Sequence, residues 1–142
     1  MTIAAILHDK GTEVVQVGSG ETVRSVIALL AERRIGCVPV MERGKVVGMF
    51  SERDVVRQIA TQGSSVLDVP VGEVMTSPVH TVAPGMSVLT ALSLITQRRM
   101  RHLPVCEGER LIGFVSIGDL VKYRIDKIEA EASALRDYIQ SA

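Results

Sequence analysis

Two short stretches hold polar residues at a spacing that chemistry can use. One reads Phe50-Ser51-Glu52-Arg53-Asp54 and the other Val115-Ser116-Ile117-Gly118-Asp119, each at the end of an apolar run interrupted by one glycine. A serine followed three residues later by an acid is the pattern of a helix capping box. The hydroxyl accepts from the backbone N–H of the acid, and the carboxylate accepts from the N–H of the serine. The same geometry suits a ligand. A helix start presents free N–H groups. A carboxylate beside it repels phosphate but accepts two hydrogen bonds from a vicinal diol such as that of a ribose, each charge-assisted bond contributing roughly 1.5–3 kcal/mol. Arg53, inside the first stretch, is a cation for an anionic group or for an exposed ion pair.

A second pair of stretches ends in proline: Ile35-Gly36-Cys37-Val38-Pro39 and Met100-Arg101-His102-Leu103-Pro104. Proline donates nothing to a β-ladder, so each strand is expected at a sheet edge or opened locally by Pro39 or Pro104. Backbone groups left free there could read the edge of a heterocycle, with Val38 or Leu103 packing on its face. Arg101 and His102 have no basic counterpart in the first stretch. They are either a solvated basic helix end or a cationic feature present in only one of the two units.

These stretches must be positioned by something, and the sequence supplies it twice. Residues 17–57 align without a gap on residues 82–122 at a constant offset of 65, with 13 of 41 positions identical. The identities include Gly20/Gly85, Arg33/Arg98, Arg34/Arg99, Pro39/Pro104, Gly48/Gly113, Ser51/Ser116 and Asp54/Asp119. Each unit reads as β-α-β-β-α. Thr22 and Ser87 are natural helix N-caps. Val23, Val26, Ile27 and Leu30, and then Val88, Ala91, Leu92 and Ile95, step by three and four along one helical face. The arginine pairs close those helices at the negative end of the dipole. A polar turn and a strand (46–50; 111–115) lead to the Ser-x-x-Asp step.

A unit of about 50 residues buries too little surface to be secure alone, so the two are expected to stack face to face with pseudo-twofold symmetry. The expected organisation is repeat 1 over 1–60, a linker with a short helical segment over 61–76, repeat 2 over 77–124 and an amphipathic helix over 125–142. In that last helix Ile125, Ile128, Ala132, Leu135 and Ile139 form one stripe, which either packs on its own domain or, the reading favoured because it lies beyond both repeats, meets a second chain.

Composition narrows the chemistry. The formal charge is zero and aromatics are 3% with no tryptophan, which leaves little for a base-stacking platform; the basic run 97–102 is local, so no nucleic-acid partner is expected. No apolar run reaches the roughly 18 residues of a membrane span, and the first residues lack a signal-peptide pattern. Cys37 and Cys106 stand in no CxxC spacing and are read as reduced and cytoplasmic. Cys37 and His102 occupy equivalent repeat positions, but two soft ligands are too few for structural zinc. No nucleophile–base spacing, Walker loop or GxGxxG is present, so no enzyme is expected.

Two tandem β-α-β-β-α units, each with an apolar-Pro-Val strand and a Gly-x-x-Ser-x-x-Asp step, resemble a cystathionine-β-synthase (CBS) domain pair. The likeness spans about residues 3–124 and includes the segment 71–84 leading into the second unit. The resemblance implies an α+β fold and a regulatory module that binds adenosine-containing ligands (AMP, ADP, ATP, NAD(H) or S-adenosylmethionine, with AMP or NAD(H) favoured) in clefts between the repeats. It implies a homodimer acting on an effector protein in trans, with no obligatory cofactor. It assigns ribose to Ser51/Asp54 and Ser116/Asp119, phosphates to Arg101 and His102 with Arg53 as a second candidate, and the adenine side to Gln16, Thr81 and the Val38-Pro39 and Leu103-Pro104 strands. The alternative is a structural or oligomerisation module with degenerate pockets.

Overall fold

The computed structural model describes residues 1–141. A helix α1 (Ile3–Lys10) precedes the first unit, which runs β1 (Val17–Gly18), α2 (Val23–Arg33), β2 (Cys37–Glu42), β3 (Lys45–Ser51) and α3 (Glu52–Gln62). Two short 3₁₀ turns follow, Gly63–Asp68 and Val71–Glu73. The second unit is α4 (Val88–Arg98), β4 (His102–Glu107), β5 (Arg110–Ser116) and α5 (Ile117–Ser141). The expected α+β pair of repeats is present. Its duplication extends to fine geometry. Both hairpins slip register at the same place, Val40/Met41 and Val105/Cys106. Both first helices end on an arginine in the left-handed region, Arg34 and Arg99, each at φ 53°.

Local chemistry accounts for the element boundaries. Thr22 accepts from Ser25 N and Ser87 from Thr90 N, as N-caps should. The apolar faces of α2 and α4 then enter separate cores. One holds Val23, Val26, Leu30, Val38, Val40 and Phe50. The other holds Val88, Ala91, Ile95, Leu103, Val105 and Leu120.

The proline strands divide: β4 is an edge of its two-stranded sheet, as expected, and β2 is not. β2 is the central strand of the order β1-β2-β3, not an edge. β1 is only two residues long and pairs with Val40 and Met41. In the second unit the counterpart of β1 is a single bridge, Val82 to Val105. There Val82 N donates to Pro104 O at 3.0 Å, so the proline nitrogen faces the same side, where the chain before Val82 is unpaired. The missing N–H therefore costs the ladder nothing. Proline is tolerated because the neighbouring strand starts too late to need its donor.

Two further departures concern the chain ends of the repeats. Ile3, Ile6 and Leu7 of α1 pack in the core of the second unit, although the expected boundary groups residues 1–60 as repeat 1. Conversely Met75 and Thr76, in the linker, pack on the first: Met49 and Thr76 exchange both backbone hydrogen bonds, 3.0 and 2.8 Å. The units thus trade their leading segments. This explains the paired glycines. A Cβ on Gly48 would stand 2.8 Å from Thr76 O, and one on Gly113 would stand 2.5 Å from Leu7 Cδ2. The second departure is that α5 is one 25-residue helix rather than a repeat helix followed by a separate one, since nothing after Gly118 breaks it.

Candidate functional site

Both Ser-x-x-Asp steps are capping boxes. At α3, Ser51 N donates to Asp54 Oδ2 at 2.9 Å, and Asp54 N donates to Ser51 Oγ at 3.4 Å. At α5 the matching distances are 2.8 and 3.0 Å for Ser116 and Asp119. The carbonyls of Gly36 and Arg101 add a second clasp, accepting from Glu52 N and Ile117 N at 3.0 and 2.8 Å. Gly36 and Arg101, each immediately before its strand, thus fix the start of the helix that follows the hairpin.

Beyond the caps the two carboxylates part company. Asp54 is 6% exposed. Its Oδ2 also accepts from Ser51 Oγ at 3.1 Å, and its Oδ1 accepts from Thr76 Oγ1 at 2.9 Å, with Arg57 Nη1 at 3.6 Å. Asp119 is half-buried. Lys10 Nζ donates to its Oδ2 at 2.6 Å and to Phe114 O at 2.8 Å, while Oδ1 has no hydrogen-bond partner among the described residues. Burial pulls the Asp119 carboxyl upward, but the Lys10 ammonium and the Ser116 N–H outweigh it and hold it below the usual value. Thr76 and Lys10 come from the two exchanged segments.

Each step opens on a cleft. The first, about 350 Å³, is lined by Ser51 and Asp54 from one unit and by Arg98, Arg99, Met100, Arg101 and His102 from the other, with Arg53, Arg57 and Thr76. Five arginines there face two carboxylates, Glu52 and Asp54. The second, about 310 Å³, is lined by Ser116, Asp119, Phe114, Lys10 and Glu13, and by Gly36 and Cys37 of the first unit. One lysine there faces two carboxylates. The arginine excess makes the first cleft the attractive one for an anion.

The expected site residues divide accordingly. Ser51, Arg53, Asp54, Arg101 and His102 meet in the first cleft, and Ser116 and Asp119 line the second with His102, which borders both. Val38, Pro39, Leu103 and Pro104 do not line either one. They are buried, Val38 and Leu103 completely, so neither offers a face to a ring. Gln16 and Thr81 are exposed and lie outside both linings. Arg57, Arg98, Thr76 and Lys10 were not anticipated. Arg57 was legible in part, one turn after Asp54 on the same helix face, and so was Arg98, in the basic run that holds Arg101; Thr76 and Lys10 reach their clefts from segments distant in sequence.

His102 is corrected in charge. Burial, then the Lys10 charge, then Arg101 push its pKa down against Asp119 and Glu52, and its ring stacks on Phe114 with centroids 5.5 Å apart. Its neutral form is therefore favoured, and it adds less positive charge to the cleft than its residue type suggests. A histidine depressed in the folded state stabilises fully above its unfolded value near 6.5, and that contribution is lost as pH falls through the folded value. Urea melts are expected to show stability falling below about pH 6.5, and His102→Asn to flatten that slope. An unchanged slope would place the titration elsewhere. Cys37, opposite it, is pushed up to about 12 by burial and then by Asp54, so it stays a thiol. Among the described residues no group of three or more His, Cys, Asp or Glu could hold a metal, and no helix is long and apolar enough to cross a membrane.

Comparison with known proteins agrees with the duplication. The CBS domain profile matches residues 10–61 and 71–126. The CBS domain-containing protein CBSX3, mitochondrial, of Arabidopsis thaliana is 32% identical over 98% of this chain and 72% of its own. The crystal structure of the CBS-domain containing protein ATU1752 from Agrobacterium tumefaciens is 36% identical with TM-score 0.83, covering 87% of this chain and 99% of that one. The CBS domain pair of protein MJ0100, solved in complex with 5′-methylthioadenosine and S-adenosyl-L-methionine, shares the fold at TM-score 0.78 and 19% identity, over 89% of this chain and 98% of that one. With two matched repeats and a shared architecture, the chain belongs to the CBS domain family as a tandem pair.

Proposed function

We propose that this CBS pair is a regulatory module that binds an adenine nucleotide, AMP or NAD(H) in preference, in the arginine-lined cleft. The observation that carries the reading is that this cleft joins a hydroxyl and a carboxylate from one repeat, Ser51 and Asp54, to cations from the other, Arg98 and Arg101. Nucleotide ribose and phosphate match those two ends. The adenosine ligands of the MJ0100 pair support the class of ligand. Thr76 and Arg57, both exposed, are the contacts a ribose diol replaces at Asp54 Oδ1. The second cleft is the weaker one for a phosphate, because there a single lysine faces two carboxylates and no arginine lines it.

A ligand held by both repeats favours one relative placement of them, and that placement is what an effector protein reads in trans. The module is not catalytic, works as a homodimer and resides in the cytoplasm, where both buried thiols stay reduced. At roughly 0.3 kcal/mol per heavy atom, a mononucleotide of about two dozen atoms binds at about −7 kcal/mol, on the order of 10 μM. Calorimetric titration with AMP, ADP, ATP, NADH and S-adenosylmethionine tests this. One of them is expected to bind in that range at one site per chain. Silence across the whole panel would leave a structural module with degenerate pockets.

A further inference from the structure

The long helix α5 buries one side and leaves another bare. Leu120 is buried and Tyr123 packs beside it against the second core. Roughly a quarter-turn round the helix, Val121, Ile125, Ile128, Leu135 and Ile139 are 40–65% exposed, with Ala132 in line between them. From residue 128 to 141 every side chain is exposed. The steps along the stripe are four, three, four, three, four. That is the a/d seam of a coiled coil, with Ile125, Ala132 and Ile139 at a, and Val121, Ile128 and Leu135 at d.

Apolar spacing alone does not name an occupant, but the flanking charges do. Positions e are Lys122, Glu129 and Arg136; positions g are Arg124, Glu131 and Tyr138. In a parallel pair of identical helices each g residue faces the e residue five positions on in the other strand. Arg124 of one copy then faces Glu129 of the other, and Glu131 faces Arg136. Both pairs are opposite in sign, and symmetry makes each occur twice. An antiparallel pair with the same apolar layers would set Glu129 and Glu131 each against its own copy and Lys122 against Arg136. All three are repulsions.

We infer that the exposed stripe of α5 is the seam of a parallel, in-register, two-stranded coiled coil with a second copy of this chain. The seam deepens the homodimer reading given above by assigning its surface, and it does not depend on nucleotide binding. It fastens two modules side by side with the same orientation, so that ligand-driven movement in both is presented to one effector.

The test uses the full chain. Leu135 is 60% exposed in the single chain, so Leu135→Glu leaves the fold intact, which circular dichroism and an unchanged nucleotide titration verify. Its mass by light scattering is expected to be half that of the unaltered chain at equal concentration. Leu135→Cys is then oxidised; both native thiols are buried, and a parallel in-register seam brings the introduced thiol to its own counterpart, giving a covalent dimer on a non-reducing gel. An unchanged mass for Leu135→Glu overturns the proposal whatever the thiol does. A halved mass without self-crosslinking overturns the parallel arrangement, since an antiparallel pair or another surface would then cover the stripe.

Discussion

Asp54→Ala is expected to destabilise the chain by about 2–3 kcal/mol, and Asp119→Ala by about 1 kcal/mol. The two residues are equivalent in the repeat and both close a capping box, so a cap alone would predict equal losses. The difference comes from what each carboxylate holds besides its cap. Asp54 is 6% exposed and anchors Thr76 of the exchanged linker as well as Ser51. Removing it leaves the Ser51 N–H and two hydroxyls short of an acceptor in a partly buried setting, at roughly 1–3 kcal/mol for the least hydrated of them. Asp119 is open enough for water to replace it, and its ion pair with Lys10 lies at side-chain exposures of 43% and 28%, where such pairs contribute up to about 1 kcal/mol. Urea melts of the two variants measure this directly. Equal losses would mean that the linker contact carries no energy.

Arg101→Ala is expected to weaken binding of a phosphate-bearing nucleotide by roughly 10- to 100-fold, the equivalent of one lost charge-assisted pair of about 1.5–3 kcal/mol. Arg101 is exposed in the free chain, so its loss does not disturb folding. Its backbone carbonyl still receives Ile117 N, because that contact does not involve the side chain. The four remaining arginines of the cleft keep some attraction for the anion, which is why the loss is partial. Adenosine, lacking phosphate, is expected to bind Arg101→Ala as well as it binds the unaltered chain. Equal weakening for both ligands would mean that Arg101 shapes the cleft instead of gripping phosphate.

Much of this architecture was legible from local pattern. The duplication at offset 65 gave two units. Thr22 and Ser87 marked helix starts, and Ser51/Asp54 and Ser116/Asp119 marked capping boxes because caps depend on residues three apart. The inequality of the clefts was visible in Arg101, which has Gly36 as its counterpart. What escaped depended on contacts far apart in sequence. Thr76 meets Asp54 across 22 residues and Lys10 meets Asp119 across 109, and no periodicity announces either. The exchange of leading segments left a trace only in Gly48 and Gly113, glycines that extended strands do not otherwise need. The reading of Val38 and Leu103 as ring-facing came from the backbone beside each proline, whereas both side chains fill cores. His102 was read as a cation from its type, but burial and the charges around it decide its protonation.

We propose that one cleft, and not its twin, is built for a phosphate-bearing adenosine ligand. The most direct measurement is a pair of calorimetric titrations of the unaltered chain, with AMP and with adenosine, under identical low-salt buffer. AMP is expected to bind at least about tenfold more tightly than adenosine, at one site per chain, with the gap narrowing as salt is raised. Equal affinities for the two, or two equivalent AMP sites per chain, would contradict it.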